Sequence, residues 1–178
     1  MNRIPIGPDD WVLLNYRMPR VPSSPRVAVW RRLQSLGAAQ LSDGLVGLPA
    51  DARTKEHLEW IAAEVIANGG TATVWVAKPT SPTKEREIVA SMQHERREEY
   101  IALIRDAADA ENLTEPSRTR AAKRLQGFLR KIARRDYFPP AERDAARAMV
   151  KALLKPAQGT PAEHPLGPAT PVREEASQ

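Results

Sequence analysis

Along the chain, short apolar runs alternate with helical stretches of one-sided hydrophobicity. "WVLLNY", Trp11 to Tyr16, is a compact apolar run ended by "RMPRVP", the pattern of a buried strand leaving a core. Ser24 then offers a cap to a helix with Pro25 at its first position and Gly37 as its stop, turning Val27, Trp30, Leu33 and Leu36 inward. "AQLSDGLVGLPA" reads as two short strands about the turn Asp43-Gly44, the strongest local hairpin signal in the chain. From Asp51 a second helix gathers Leu58, Ile61, Ala62, Val65 and Ile66 on one face and stops at Gly69-Gly70. "TATVWVA", Thr71 to Ala77, is the fourth strand. Trp30, Trp60 and Trp75 fall at helix and strand spacing, which assigns them to the core flanking the sheet.

Strand, helix, strand, strand, helix, strand is the split βαββαβ order, so residues 11–79 are expected to form a ferredoxin-like α+β domain with both helices on one face of an antiparallel sheet. A doubly wound parallel sheet is disfavoured, because the hairpin is expected to pair the central strands antiparallel. Past "KPTSPT" the periodicity turns wholly helical. Helices are expected at about 82–111, 115–136 and 140–154, forming an extension over 80–155 that packs on the domain. Residues 1–10 read as a flexible N-terminus. Residues 156–178 hold five prolines and almost nothing apolar, the composition of a disordered tail.

A chain of 178 residues is long enough for one domain with appendages. No stretch approaches 18 uninterrupted apolar residues, and "MNRIPIGPDDW" lacks the apolar middle of a secretory signal, so a cytoplasmic protein without a membrane partner is expected. The absence of cysteine removes disulfides, thiolate nucleophiles and most structural zinc sites. His57, His94 and His164 are scattered with no second ligand at metal spacing, and His94 with Glu98 is a surface pair. Neither a nucleophile–base constellation nor a glycine-rich phosphate loop appears. The expectation is a protein with no metal and no cofactor that is not an enzyme.

The net charge of +5 is unevenly spread. Residues 81–116 carry 5 basic and 9 acidic side chains, a net −4, whereas residues 117–155 carry 12 and 3, a net +9. Either a polyanionic partner or mutual neutralisation of two helices follows from such asymmetry. On a helical wheel over 118–136, Ala121, Ala122, Leu125, Phe128, Leu129, Ile132 and Ala133 share one arc of about 140°. Arg120, Lys123, Arg124, Arg130, Lys131, Arg134 and Arg135 fill the opposite arc. The helix dipole favours Lys131, Arg134 and Arg135 near the C-terminus but opposes Arg118 and Arg120 in the first turns. Those two require a nearby anion, either the acidic helix before them or phosphate. The candidate nucleic-acid-binding set is therefore Arg118, Arg120, Lys123, Arg124, Arg130, Lys131, Arg134 and Arg135, with a solvated or internally neutralised face as the competing reading. No recognition-helix motif is legible, and Gly127 sits within the basic arc.

The helix at 82–111 poses a sharper question. Val89, Met92, Tyr100, Leu103 and Ala107 form an apolar stripe with Arg96 at its centre and Glu99 at its edge. A cation there must find an anion, because an unpaired buried charge is too costly. Asp136, inward on its own helix near an unfavourable C-terminus, is the expected partner, with Glu99 and Glu64 as alternatives. The competing reading joins Arg96 to Arg17, Arg26 or Arg31 near the sheet's edge as an oxyanion pocket. Exposed edge strands of this topology would let two protomers pair as a homodimer.

"WVLLNYRMP", "SPRVAVWRRLQSLGAAQLSDGLVGLPA", "LEWIAAEVIANGGTATV", "ERREEYIALI" and "LRKIARRDYF" stand in the order and approximate spacing of the N-terminal region of the chromate resistance protein ChrB family. The resemblance runs from Trp11 to Phe138, with "VWRRLQSLGA" and "RDYF" its most specific parts. It implies a chromate-responsive transcriptional regulator of a chromate-efflux operon, with that operon's DNA operator as partner and chromate, a dianion suited to bidentate arginines, as the oxyanion. A non-DNA-binding accessory module that docks on another protein is the alternative. The family also resembles the ferredoxin-like domain of PaaX-type repressors and small CRISPR-adaptation nucleases. Where those nucleases end the first strand in a metal-binding aspartate this chain has Asn15, which argues against nuclease activity. Full-length members of the family continue into a second domain, where this chain has its proline-rich tail.

Overall fold

The computed structural model describes Gly7 and residues 9–154. The readings of a flexible start and a disordered tail fall largely or wholly outside the described residues. The elements are β1 (Trp11–Arg17), α1 (Ser23–Leu36), β2 (Ala39–Ser42), β3 (Leu45–Pro49), α2 (Ala52–Ala67), β4 (Thr71–Ala77), α3 (Pro82–Glu111), α4 (Glu115–Ala133) and α5 (Glu142–Leu153).

The four strands form one sheet in the order β2-β3-β1-β4, with every neighbouring pair antiparallel. This is the βαββαβ arrangement expected from the sequence, with one correction. The central strands are β1 and β3, and the hairpin leaves β2 at an edge. The hairpin turns at Gly44, whose φ of 73° belongs to the left-handed region. The Gly44 carbonyl accepts from the Tyr16 amide at 2.7 Å, and a Cβ at Gly44 would lie 2.4 Å from the Tyr16 carbonyl oxygen. Glycine thus lets the turn lie directly on β1.

Strand alternation turns Val12 and Leu14 of β1 and Val46 and Leu48 of β3 into the main core. From α2, Leu58, Ile61, Ala62 and Val65 cover them. That helix is held at its start by a reciprocal cap. Asp51 Oδ1 accepts the Thr54 amide at 2.6 Å, and Thr54 Oγ1 accepts the Asp51 amide at 2.9 Å.

The inward face of α1 departs from expectation. Val29 and Leu33 are buried, whereas Val27 and Trp30 are exposed. The sequence carries two overlapping apolar stripes that share Leu33 and Leu36, and the sheet takes the one through Val29. Nor does Ser24 cap the helix, which begins at Ser23 behind Pro22 with no side-chain cap. The expected stop holds, since Gly37 has φ 70° and closes α1. Ile66 and the three tryptophans Trp30, Trp60 and Trp75 are each more than half exposed, so none belongs to the core. Trp11 does, and its indole N–H donates to Glu85 of α3 at 3.0 Å.

At 30 residues α3 is about 45 Å long and serves two cores. Its first half places Ile88, Val89 and Met92 against the sheet core. Its second half places Tyr100, Leu103, Ala107 and Ala110 against Ala121, Ala122, Leu125 and Ile132 of α4 and Ala146, Val150 and Leu153 of α5. α4 ends at Ala133 and α5 starts at Glu142, trimming the expected ranges by two or three residues at those ends. Between them Tyr137 and Phe138 return to the sheet core. The Tyr137 hydroxyl donates to the Leu36 carbonyl at 3.1 Å, and the Phe138 ring lies 6.1 Å from Trp11.

Candidate nucleic-acid interface

α4 is amphipathic because its apolar side chains recur at i, i+3 and i+4. Ala121, Ala122, Leu125 and Ile132 are buried against α3 and α5, which turns the basic arc outward. Arg120, Lys123, Arg124, Arg130, Lys131 and Arg134 are all exposed. Among the described residues, no carboxylate lies within ion-pair distance of Lys123, Arg124, Arg130, Lys131 or Arg134. Arg120 donates to Ser117 Oγ at 3.2 Å.

Two members of the predicted set are engaged with carboxylates. Arg118 pairs with Glu115 at 2.6 Å, one turn back on the same helix. The anion expected beside it is thus supplied by the first turn of α4 itself, where the dipole favours a glutamate. Arg135 reaches Glu99 of α3 at 2.9 Å and turns inward.

Arg96 is 6% exposed, as its place in the apolar stripe required. Its partners are Glu95 at 3.1 Å and Glu99 at 3.3 Å. The expected meeting with Asp136 does not occur. Asp136 accepts the Tyr100 hydroxyl at 2.8 Å, and Glu99 bridges Arg96 and Arg135. Tyr100 follows Arg96 by one turn on the same stripe, so a neutral donor meets Asp136 where a cation was anticipated. Burial, reinforced by the hydrogen bond to Asp136, raises the Tyr100 pKa well above its ordinary value. Glu64, the remaining alternative, pairs with Arg32 at 2.6 Å.

Nor does the structure gather the anticipated arginine pocket. Arg17 lines a surface hollow with Arg20 and Thr71, and Arg26 lines a different one with Tyr16, Trp30 and Asp43. Arg31 is exposed on α1. Arg96 borders neither hollow, and two carboxylates occupy its guanidinium.

Sequence reasoning missed Phe128. Assigned to the inward arc, it is 45% exposed and forms one wall of a cleft of about 360 Å³ between α3 and α4. Lys131 Nζ stands 5.7 Å from its ring centroid. The signal was present as an aromatic residue set between Arg124 and Lys131, at i−4 and i+3 on the basic arc. Among the described residues, no group of three or more His, Asp or Glu side chains could hold a metal ion, and no helix is long and apolar enough to cross a membrane.

Fold and surface together define a ferredoxin-like α+β protein with a three-helix extension whose outer helix is strongly cationic. The chain belongs to the ChrB N-terminal family, since residues 26–159 match the family model described as "Protein ChrB, N-terminal". Protein ChrB of Cupriavidus metallidurans is 26% identical over 144 residues, covering 78% of this chain and 44% of that protein. The chain therefore spans less than half the length of this curated relative.

Proposed function

We propose that this protein is a cytoplasmic, non-catalytic component of a chromate-resistance system that regulates transcription by binding operator DNA through α4. The observation supporting the reading is the row Lys123, Arg124, Arg130, Lys131 and Arg134, exposed and without carboxylate partners among the described residues. A row of uncompensated cations on one rigid helix suits a phosphate backbone, because each neutralised phosphate releases condensed counterions. With about five such contacts, log K should fall with log salt at a slope near −4.5. Arg96 is assigned to the ion-pair role and not to an oxyanion pocket, since a dianion placed there would lie against Glu95 and Glu99.

The test is a titration of the operon's own promoter fragment at several salt concentrations, with and without chromate. A steep slope that flattens when Lys123, Arg130 and Arg134 are changed to glutamine supports the reading. A flat salt dependence sinks it in favour of the accessory module that binds only protein. A chromate-dependent change in affinity would place oxyanion sensing within this chain, and identical isotherms would place it elsewhere.

A further inference from the structure

We infer that the cleft between α3 and α4 is a stacking site for an unpaired nucleobase, so that the cationic face takes single-stranded or locally opened polynucleotide as well as duplex. This rests on the proposal that α4 meets phosphates, and it names what the helix would read beyond them.

Phe128 carries the argument. A phenylalanine on an amphipathic helix is normally buried, yet this one presents 45% of its surface on the cationic side of α4. Phosphate contacts alone leave that ring without a purpose. Beyond its chain neighbours and its own helix backbone, Gly127 beside it has no atom within 4 Å of where a Cβ would stand, so no other element covers the helix next to the ring and a flat group can approach closely. Beneath the ring, Leu103, Leu125 and Ile132 form an apolar floor. The volume of about 360 Å³ lies within the range of small-ligand sites.

The polar rim narrows the ligand class. Lys131 stands over the Phe128 ring, and Arg124 precedes that ring by one turn, so cations flank the aromatic face where the phosphates of a stacked nucleotide run. Across the cleft, the Asp106 carboxylate on α3 is exposed and has no ion-pair partner among the described residues. It can accept from the N–H groups of a base edge. An acidic protein segment would meet Asp106 unfavourably, and a purely apolar one would leave Lys131 and Asp106 unused. A base within an intact duplex offers no free ring face, so the ligand must be unpaired.

The experiment measures anisotropy of a labelled single strand of about a dozen nucleotides, and of a duplex of equal length, against the full chain and two variants. Phe128→Leu keeps apolar bulk and removes the aromatic face, and Phe128→Ala removes both. Stacking on one ring is worth roughly 5- to 150-fold in affinity. Both variants should therefore lose at least about fivefold on the single strand and change the duplex less than about twofold, with Leu preserving the melting temperature. Unchanged single-strand affinity in Phe128→Leu overturns the inference while leaving the duplex reading intact. A wild-type chain that binds neither strand form overturns both.

Discussion

The Tyr100 hydroxyl donates to the Asp136 carboxylate at 2.8 Å, joining the middle of α3 to the segment just beyond α4 across 36 residues of sequence. One residue earlier on each side, Glu99 and Arg135 form an ion pair at 2.9 Å. Two residues on from Asp136, Phe138 packs near Trp11 in the sheet core. The stretch from Arg135 to Phe138 therefore fastens the helical extension to the ferredoxin-like domain.

Replacing Tyr100 with phenylalanine should destabilise the protein by about 1.5–3 kcal/mol, because a hydrogen bond to a charged group is lost and Asp136 stays half-buried without its donor. Urea unfolding at neutral pH measures this. The pH dependence has a definite sign. Burial first, and the Asp136 bond second, raise the folded-state pKa of Tyr100 above its ordinary 10.0. Its contribution is then fully present below the unfolded pKa and declines as pH rises beyond it. Wild-type stability should fall more steeply above about pH 10 than that of Tyr100→Phe. Some alkaline loss should persist in the variant, since burial also raises the pKa of Tyr16 and Tyr137. Parallel alkaline slopes would refute the assignment.

Gly37→Ala should cost at least about 2 kcal/mol through two separate effects. The backbone there has φ 70°, which strains any residue bearing a Cβ. The added methyl would also lie 2.8 Å from Arg135 Cβ and 3.0 Å from the Arg135 carbonyl oxygen. Crystallographic or chemical-shift changes centred on Arg135, together with the lowered urea midpoint, distinguish this from simple cap loss. A shift confined to residues near α1 would leave only the strain term.

The element order and the sheet's antiparallel character were legible in the sequence because strand alternation, the helix stop at Gly37 and the Asp43-Gly44 turn all pointed the same way, although the Ser24 cap did not form. The burial of Arg96 was legible as well, since no rotation of α3 could move it off the stripe of Met92, Tyr100 and Leu103. Its partner was not. Periodicity says which side of a helix a residue occupies but not which of several carboxylates arrives opposite it, and Glu99, Glu64 and Asp136 all qualified on paper. The same limit misplaced Trp30 and Phe128. Each sits on a helix whose apolar positions outnumber what the neighbouring elements cover, so the sequence offered more hydrophobic face than the fold buries. In the basic helix the wheel placed Ala121, Ala122, Leu125 and Ile132 inward and Lys123, Arg124, Arg130, Lys131 and Arg134 outward as found, while the engagement of Arg118 by Glu115 and of Arg135 by Glu99 depends on side-chain reach that a wheel does not contain.

Arg96→Leu tests whether the buried cation is a structural element. Removing one partner of a buried ion pair typically costs about 3–5 kcal/mol, chiefly by stranding the opposite charge. Here Glu99 retains Arg135 and Glu95 is exposed, so the lower end, about 3 kcal/mol, is expected. Duplex affinity per folded molecule should stay within about twofold, because Arg96 is remote from solvent. Unchanged stability combined with a lost chromate response would restore the oxyanion-pocket reading.

Thr54 is fully buried, and its hydroxyl serves two elements at once. It donates to the Pro49 carbonyl at the end of β3 at 2.8 Å and accepts the Asp51 amide at the start of α2 at 2.9 Å. Valine has the same shape without the hydroxyl, so Thr54→Val removes both bonds while leaving the packing nearly unchanged. The Pro49 carbonyl and the Asp51 amide would each lose the partner that the buried Thr54 hydroxyl supplies. The expected loss is about 1–3 kcal/mol. Thr54→Ser, which keeps the hydroxyl, should lose less than half as much. If valine proves neutral while serine is destabilising, the methyl group and not the reciprocal cap is what Thr54 contributes, and the β3–α2 junction is held by packing alone.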